Sequence, residues 1–190
     1  MAFLSSFEIK ELGFRSCGEK VLISEKASIY GASRISIGNN VRIDDFCILS
    51  AGEGGILIGD NVHIACYSSL IGKGEIRLGD YSNISSRVSI YSSSDDYSGE
   101  YMTNPTIPVE YTNVGHRTVM IGRHAIIGCG SVILPGVNVG EGGAVGALSL
   151  VKDDCEPFGV YVGIPARRKA VRQRGLLKFE KLFLDTKREL

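Results

Sequence analysis

The chain lacks net charge, long apolar runs and a spaced set of cysteines, and each absence removes a class of function. Its 21 Lys and Arg offset 21 Asp and Glu, so no whole-chain field draws it to nucleic acid or to an anionic membrane. No stretch reaches the ~20 apolar residues needed to cross a bilayer. The opening residues, Met1-Ala2-Phe3-Leu4-Ser5-Ser6, have neither the basic segment nor the apolar core of a secretory signal. The five cysteines are odd in number and scattered, which is no disulfide framework. A cytoplasmic location is the expectation from these absences. Histidine is scarce: His63, His116 and His124 are the whole supply. The 190 residues suit one domain with terminal additions.

What is present is a six-residue period. From Ile121 the hexads open on Ile121, Ile127, Ile133, Val139 and Val145, mostly with Gly next and a small or β-branched residue four positions on. The pattern recurs upstream from Ile37, Ile43, Ile58, Ile64, Leu78 and Ile84, with a degenerate start near Ile23. Neither a helix nor an alternating strand has this period. A coil of short strands and tight turns does, with like positions stacked over like. Three hexads make one triangular turn, which predicts Ile121, Ile127 and Ile133 in one coil and Val139, Val145 and Val151 in the next. Short insertions near Ala51–Gly55 and Lys73–Glu75 lengthen one corner. Cys47 and Cys155 fall on small-residue positions and read as reduced core filler.

Three segments depart from the ladder. Residues 3–13 suggest a helix, with Ser5 and Glu8 as a capping box, Leu4 and Ile9 as a staple and Gly13 as the stop. Near the other end Leu176, Phe179, Leu182 and Phe183 have helical spacing, behind a basic stretch from Arg167 to Arg174. Between Tyr91 and Val119 the hexads cease. An excursion this long inside a compact repeat points to function.

The hexads, with Ile133-Leu134-Pro135-Gly136-Val137, Gly146-Ala147-Leu148-Ser149-Leu150-Val151 and Gly163-Ile164-Pro165-Ala166, resemble the hexapeptide-repeat acyltransferases. The likeness runs from about Cys17 to Arg168, and the last set looks like the sugar acetyltransferases of that family. The resemblance implies an all-β fold: a left-handed parallel β-helix with short terminal helices and one long excursion loop. Residues 1–16 would cap it, residues 17–166 would form the acetyltransferase domain with the excursion at 92–118, and residues 167–190 would be a basic helix. It also implies acetyl-CoA as co-substrate, no metal, and a homotrimer with sites between subunits. The acceptor would be a sugar or nucleotide-linked sugar, such as a surface-polysaccharide precursor.

Transfer from a thioester needs a nucleophile, a proton acceptor and oxyanion donors. O-acetyltransferases of the family carry a His early in the excursion, where this chain has Ser92-Ser93-Ser94-Asp95-Asp96-Tyr97. Asp95, Asp96 and His116 are therefore the catalytic candidates, with His63 in reserve and His124 as an ordinary hexad residue. An amine acceptor needs less help than a hydroxyl, and the sequence leaves both open. On the donor side the resemblance assigns the thioester end to the Gly128 and Cys129 amides. It assigns the pantetheine arm to Gly146, Ala147 and Ser149, and the phosphates to Lys152 and Arg167. Lys152 sits one place earlier than the family's lysine. Two other readings stand beside this one: a zinc carbonic anhydrase, which needs three placed histidines, and a non-catalytic β-helix scaffold or ligand-binding module.

Overall fold

In the computed structural model, residues 2–188 are described; Met1, Glu189 and Leu190, the outer ends of the two terminal segments, lie outside them. The chain winds into a parallel β-solenoid whose three faces are sheets of six, eight and six strands. One column shows how the hexad dictates this. Ile37, Ile58, Leu78, Ile121 and Val139 are register partners on successive coils of the first face, and all are buried. Ile127 over Val145 and Ile133 over Val151 continue the rule on the other faces. Each fully buried Ile contributes ~1.5–3 kcal/mol.

The second residue of the hexad answers to a close approach. A Cβ on Gly128 would lie 2.5 Å from the Ala147 nitrogen, nearer than real carbon–nitrogen contacts allow, so neighbouring corners stack only without a side chain there. Cys47 and Cys155 are free and buried, and burial pushes each thiol up to about 11. They are inert filler at neutral pH.

The three corners differ. The first joins faces one and two and carries Asn40, Asn61, Tyr81 and His124 at positive φ. The second joins faces two and three and carries Phe46, Tyr67, Arg87, Gly130 and Leu148, also at positive φ. The third joins each coil to the next, and it holds both short insertions and the excursion. The excursion leaves through a two-residue antiparallel ladder, Ser93–Ser94 against Gly115–His116. A 3-10 turn at Val109–Tyr111 lies within it.

Helix α1 (Ser6–Glu11) is shorter than residues 3–13, because the Ser5/Glu8 capping box fixes its start. Its Ile9 is buried in the core. Phe3 bridges Ser24 and the Leu4 amide donates to the Ile23 carbonyl, so the segment covers backbone at the first coil. Residues from Arg167 onward are not one helix. Arg167–Val171 is a strand antiparallel to Gly159–Val162, and only Gly175–Arg188 forms helix α2. The strand wins because Gly159–Val162 offers a free edge on the second face. The helix docks on the first corner: His124 Nε2 lies 2.9 Å from Glu180 Oε2, Arg123 also pairs with Glu180, and Phe183 meets Tyr81 edge-on at 6.4 Å. Arg172 donates to the carbonyls of His124 and Gly142, and Arg174 lies over the Phe158 ring. Much of the basic stretch is engaged in folding contacts.

Candidate active site

The third corner brings the excursion over the coils that follow it. A cavity of about 380 Å³ forms there, lined by Ser94, Asp95, Asp96, Asn113, Gly115, Arg117, Leu134, Pro135 and Lys152. Leu134, Pro135 and Lys152 come from the same corner of the next two coils, so the solenoid supplies the floor and the excursion the wall. A larger cavity of about 660 Å³ between α1 and the first coil contains none of the candidate residues.

Asp95 and Asp96 stand side by side here but differ in state. Asp96 accepts the Ser98 hydroxyl at 2.7 Å and the Ser98 amide at 3.2 Å, a side-chain turn that shapes the loop. Those bonds hold its carboxyl below the usual carboxylate range. The Asp95 carboxylate has no protein partner among the described residues, and only its backbone carbonyl is engaged, by the Ser94 hydroxyl. Of the two, Asp95 is free to meet a ligand. Arg117 lies in the same cavity and packs over Gly136. It forms no ion pair among the described residues. Sequence reading passed over Arg117 and Asn113, since a loop residue has no period to mark it; its place at the excursion's return was the one available signal.

His116 is not among the residues lining that cavity. Its Nδ1 lies 2.8 Å from Ser93 Oγ at the neck of the excursion. The remaining histidines are also engaged away from it. His63 sits on the second face between register partners Arg42 and Asn83. Its Nε2 is 2.9 Å from Asp44 and its Nδ1 is 3.2 Å from Asn83 Oδ1. His124 seats α2. Among the described residues no group of three or more His, Cys, Asp or Glu is placed to hold a metal ion, and the three histidines have separate partners.

Among the donor-side residues, Gly128, Cys129, Gly146, Ala147 and Ser149 lie along the second corner, whereas Lys152 is at the third corner and Arg167 opens the added strand. Cys129 is exposed, and its carbonyl accepts the Leu148 amide. The Cys129 and Ala147 amides find no acceptor among the described residues, which leaves outward N–H groups at successive coils. That arrangement can bind a thioester oxygen or the amides of an extended chain. Gly128 and Gly146 serve close stacking: a Cβ on Gly146 would lie 2.7 Å from Val162 Cγ1. Ser149 is turned inside. Its hydroxyl donates to the Gly146 carbonyl at 2.8 Å and accepts the Gly163 amide at 3.1 Å, so it supports the wall rather than lining it. Lys152 and Arg167 flank Asp153, at 3.2 and 3.1 Å. They lie together as an exposed cationic pair around one carboxylate. That anion holds them near each other, and the pair holds the Asp153 carboxyl below its usual range.

No family model matches the chain. A dTDP-4-amino-4,6-dideoxy-D-glucose acyltransferase of Escherichia coli is 62% identical over 183 residues, covering 96% of this chain and 95% of the relative. This chain belongs to the hexapeptide-repeat acyltransferases. A variant of AntD, an N-acyltransferase from Bacillus cereus solved with dTDP-4-amino-4,6-dideoxyglucose and coenzyme A, superposes with a TM-score of 0.92 at 48% identity, over 97% of each chain. AntD with dTDP and 3-hydroxybutyryl-CoA gives a TM-score of 0.92 at 48% identity, over 98% of each chain. WbbJ of Escherichia coli, a putative lipopolysaccharide biosynthesis O-acetyl transferase, is 29% identical over 150 residues, 76% of this chain and 72% of its own length. As an acyltransferase of this family, the chain has no need of the carbonic anhydrase or scaffold readings.

Proposed function

We propose that this acyltransferase moves an acyl group from acyl-CoA to the amino group of a dTDP-linked 4-amino-4,6-dideoxyglucose. The observation that carries this reading is the 62% identity, nearly end to end, to an enzyme named for that acceptor. Transfer is direct, in a ternary complex. The neutral amine attacks the thioester carbonyl, the nitrogen–carbon bond forms, and the carbon–sulfur bond breaks to release coenzyme A. The outward amides of Cys129 and Ala147 meet the thioester oxygen and the pantetheine arm. The uncommitted Asp95 carboxylate orients the amine and takes the proton it sheds, while Asp96 shapes the loop. Lys152 and Arg167 meet the phosphates of coenzyme A. An amine explains why no histidine is needed at Ser92–Asp96: it brings its own lone pair, whereas a hydroxyl must first be deprotonated.

The same reading divides the chain into a cap (1–16), the β-helix with its excursion (17–166, 92–118) and a C-terminal segment (167–190). It makes the working unit a homotrimer, since closed threefold association brings one subunit's excursion to another's corner, and it places the reaction in the cytoplasm, on a surface-polysaccharide precursor. The test is coenzyme A release on mixing the purified protein with acetyl-CoA and the dTDP-linked amino sugar. Release that needs the amino sugar is expected; none with that sugar, across acetyl- and 3-hydroxybutyryl-CoA, overturns the proposal.

A further inference from the structure

Helix α2 is apolar over more of its circumference than its docking uses. Leu176, Glu180 and Phe183 face the first corner, where they meet Asn61, Tyr81 and His124. About 90° round the helix, counted at 3.6 residues per turn, Phe179, Leu182 and Thr186 form a second stripe. It stands in solvent, with Phe179 exposed at 71% and Leu182 at 52%. A groove of about 380 Å³ opens beside it, bordered by the rings of Tyr81, Phe179 and Phe183, so the seam between helix and corner is only partly filled.

Charge gathers at the same place. The chain as a whole is neutral, yet Arg167 to Arg188 holds nine Lys and Arg against two Asp and Glu. Several of these cations are engaged in the fold. Arg167 and Arg168 pair with Asp153 and Glu156, Arg172 donates to carbonyls and Arg174 covers Phe158. Lys178 and Lys181 are different. Both are exposed and fall on the outer side of α2, with Asp185 between them on the helical wheel, and neither forms an ion pair among the described residues.

An exposed apolar stripe bordered by lysines is how a helix meets a bilayer surface. The apolar side chains enter the acyl boundary, and the lysine stems follow while their ammonium groups stay among the headgroups. The stripe is convex, running along a corner of the prism, and a deformable surface accommodates it better than a preformed protein groove. The open groove beside it has room for part of an acyl chain.

We infer that α2 is a peripheral membrane contact for anionic phospholipid: Phe179 and Leu182 enter the acyl boundary, and Lys178 and Lys181 meet headgroup phosphates. Glu180 stays paired with His124 and Arg123, so the helix remains docked. The contact is separate from the cavity of the third corner and the amides of the second, and it does not rest on the proposed reaction.

The test is sedimentation of the full chain with vesicles of phosphatidylglycerol and phosphatidylcholine in equal parts, against vesicles of phosphatidylcholine alone. Wild type should pellet with the anionic vesicles and not with the neutral ones, and high salt should release it. Phe179→Ser with Leu182→Ser should abolish binding. Lys178→Gln with Lys181→Gln should weaken it roughly twentyfold or more, the scale of two lysines near an anionic surface. Both double variants should melt with wild type. A wild type that stays in solution, or pellets equally with both vesicles, overturns the inference, and so does either variant binding like wild type. A lower melting temperature or a smaller sedimentation coefficient in the Phe179→Ser, Leu182→Ser variant assigns the stripe to the fold or to contact between copies, and overturns it as well. Retention on heparin without vesicle binding assigns the lysines to a soluble polyanion and overturns the lipid contact.

Discussion

Ser93 Oγ lies 2.8 Å from His116 Nδ1 across the neck of the excursion, and the same oxygen accepts the Lys73 amide at 2.8 Å. The hydroxyl and His116 Nδ1 are engaged with each other, with the donor set by the His116 tautomer. This fastens the excursion to the solenoid and leaves Asp95 as the group able to take a proton in the cavity. His116→Ala should therefore lower kcat less than tenfold. Asp95→Ala should lower it about a hundredfold or more, the scale of lost proton-transfer catalysis, with coenzyme A affinity retained. Steady-state rates of the two variants side by side decide this; the reverse order would return His116 to the chemistry.

Asp44 makes an acid-sensitive clasp on the second face. Burial alone would raise its carboxyl, but hydrogen bonds from Arg42 at 2.7 Å and His63 at 2.9 Å outweigh burial and hold it below the usual range. A carboxyl lower in the folded than in the unfolded state stabilises the fold above its unfolded value and loses that contribution as pH falls through its folded value. Asp44→Asn should therefore cost ~1.5–3 kcal/mol at neutral pH. The gap from wild type should begin to close as pH falls below about 4, where the unfolded carboxyl starts to take up a proton, and should vanish only below the lowered folded value. Thermal melts across that window measure it, and a gap independent of pH would contradict the account.

Gly128→Ala should damage stability and binding together. The new Cβ would meet the Ala147 nitrogen at 2.5 Å and the Gly146 carbon at 2.7 Å. Both are backbone atoms that cannot turn aside. Separating the coils should cost ~1–3 kcal/mol and displace the Cys129 and Ala147 amides. A lower melting temperature with weaker coenzyme A binding is the expected pair of results, by scanning fluorimetry and calorimetry.

Arg167→Ala should weaken coenzyme A more than the amino sugar, since it removes one of two cations around Asp153. The remaining Lys152–Asp153 pair is then close to neutral, so Asp153→Asn in the same background should restore part of the affinity. Calorimetry with each ligand separates the two; equal losses for both ligands would count against a phosphate role.

Much of the fold was legible because a hexad is a local rule repeated. Ile121 over Val139 and Ile133 over Val151 follow from counting, and the Ser5/Glu8 box follows from two residues three apart. What escaped depends on partners distant in sequence. Arg167–Val171 became a strand because Gly159–Val162 presented an edge, which no pattern within 167–171 announces. Ser149 faces inward because the Gly146 carbonyl and the Gly163 amide await it. Phe46, Tyr67 and Arg87 fall in one column only after the corner insertions are subtracted, since those insertions make the coils unequal. At the site, their place early in the excursion, where the resembling family carries a His, identified Asp95 and Asp96 together; the Ser98 bonds that commit Asp96 to the loop are visible only in the structure.

The most direct test of the account is the linkage in the product. Purified protein, acetyl-CoA and the dTDP-linked amino sugar should give a product one acetyl group heavier, with the acetyl on nitrogen as an amide that survives mild alkali and hydroxylamine. The matched sugar with hydroxyl in place of the amine should give none. An alkali-labile ester, or equal turnover of the hydroxyl sugar, would contradict the central claim that this site works on an amine and so needs no histidine in its excursion.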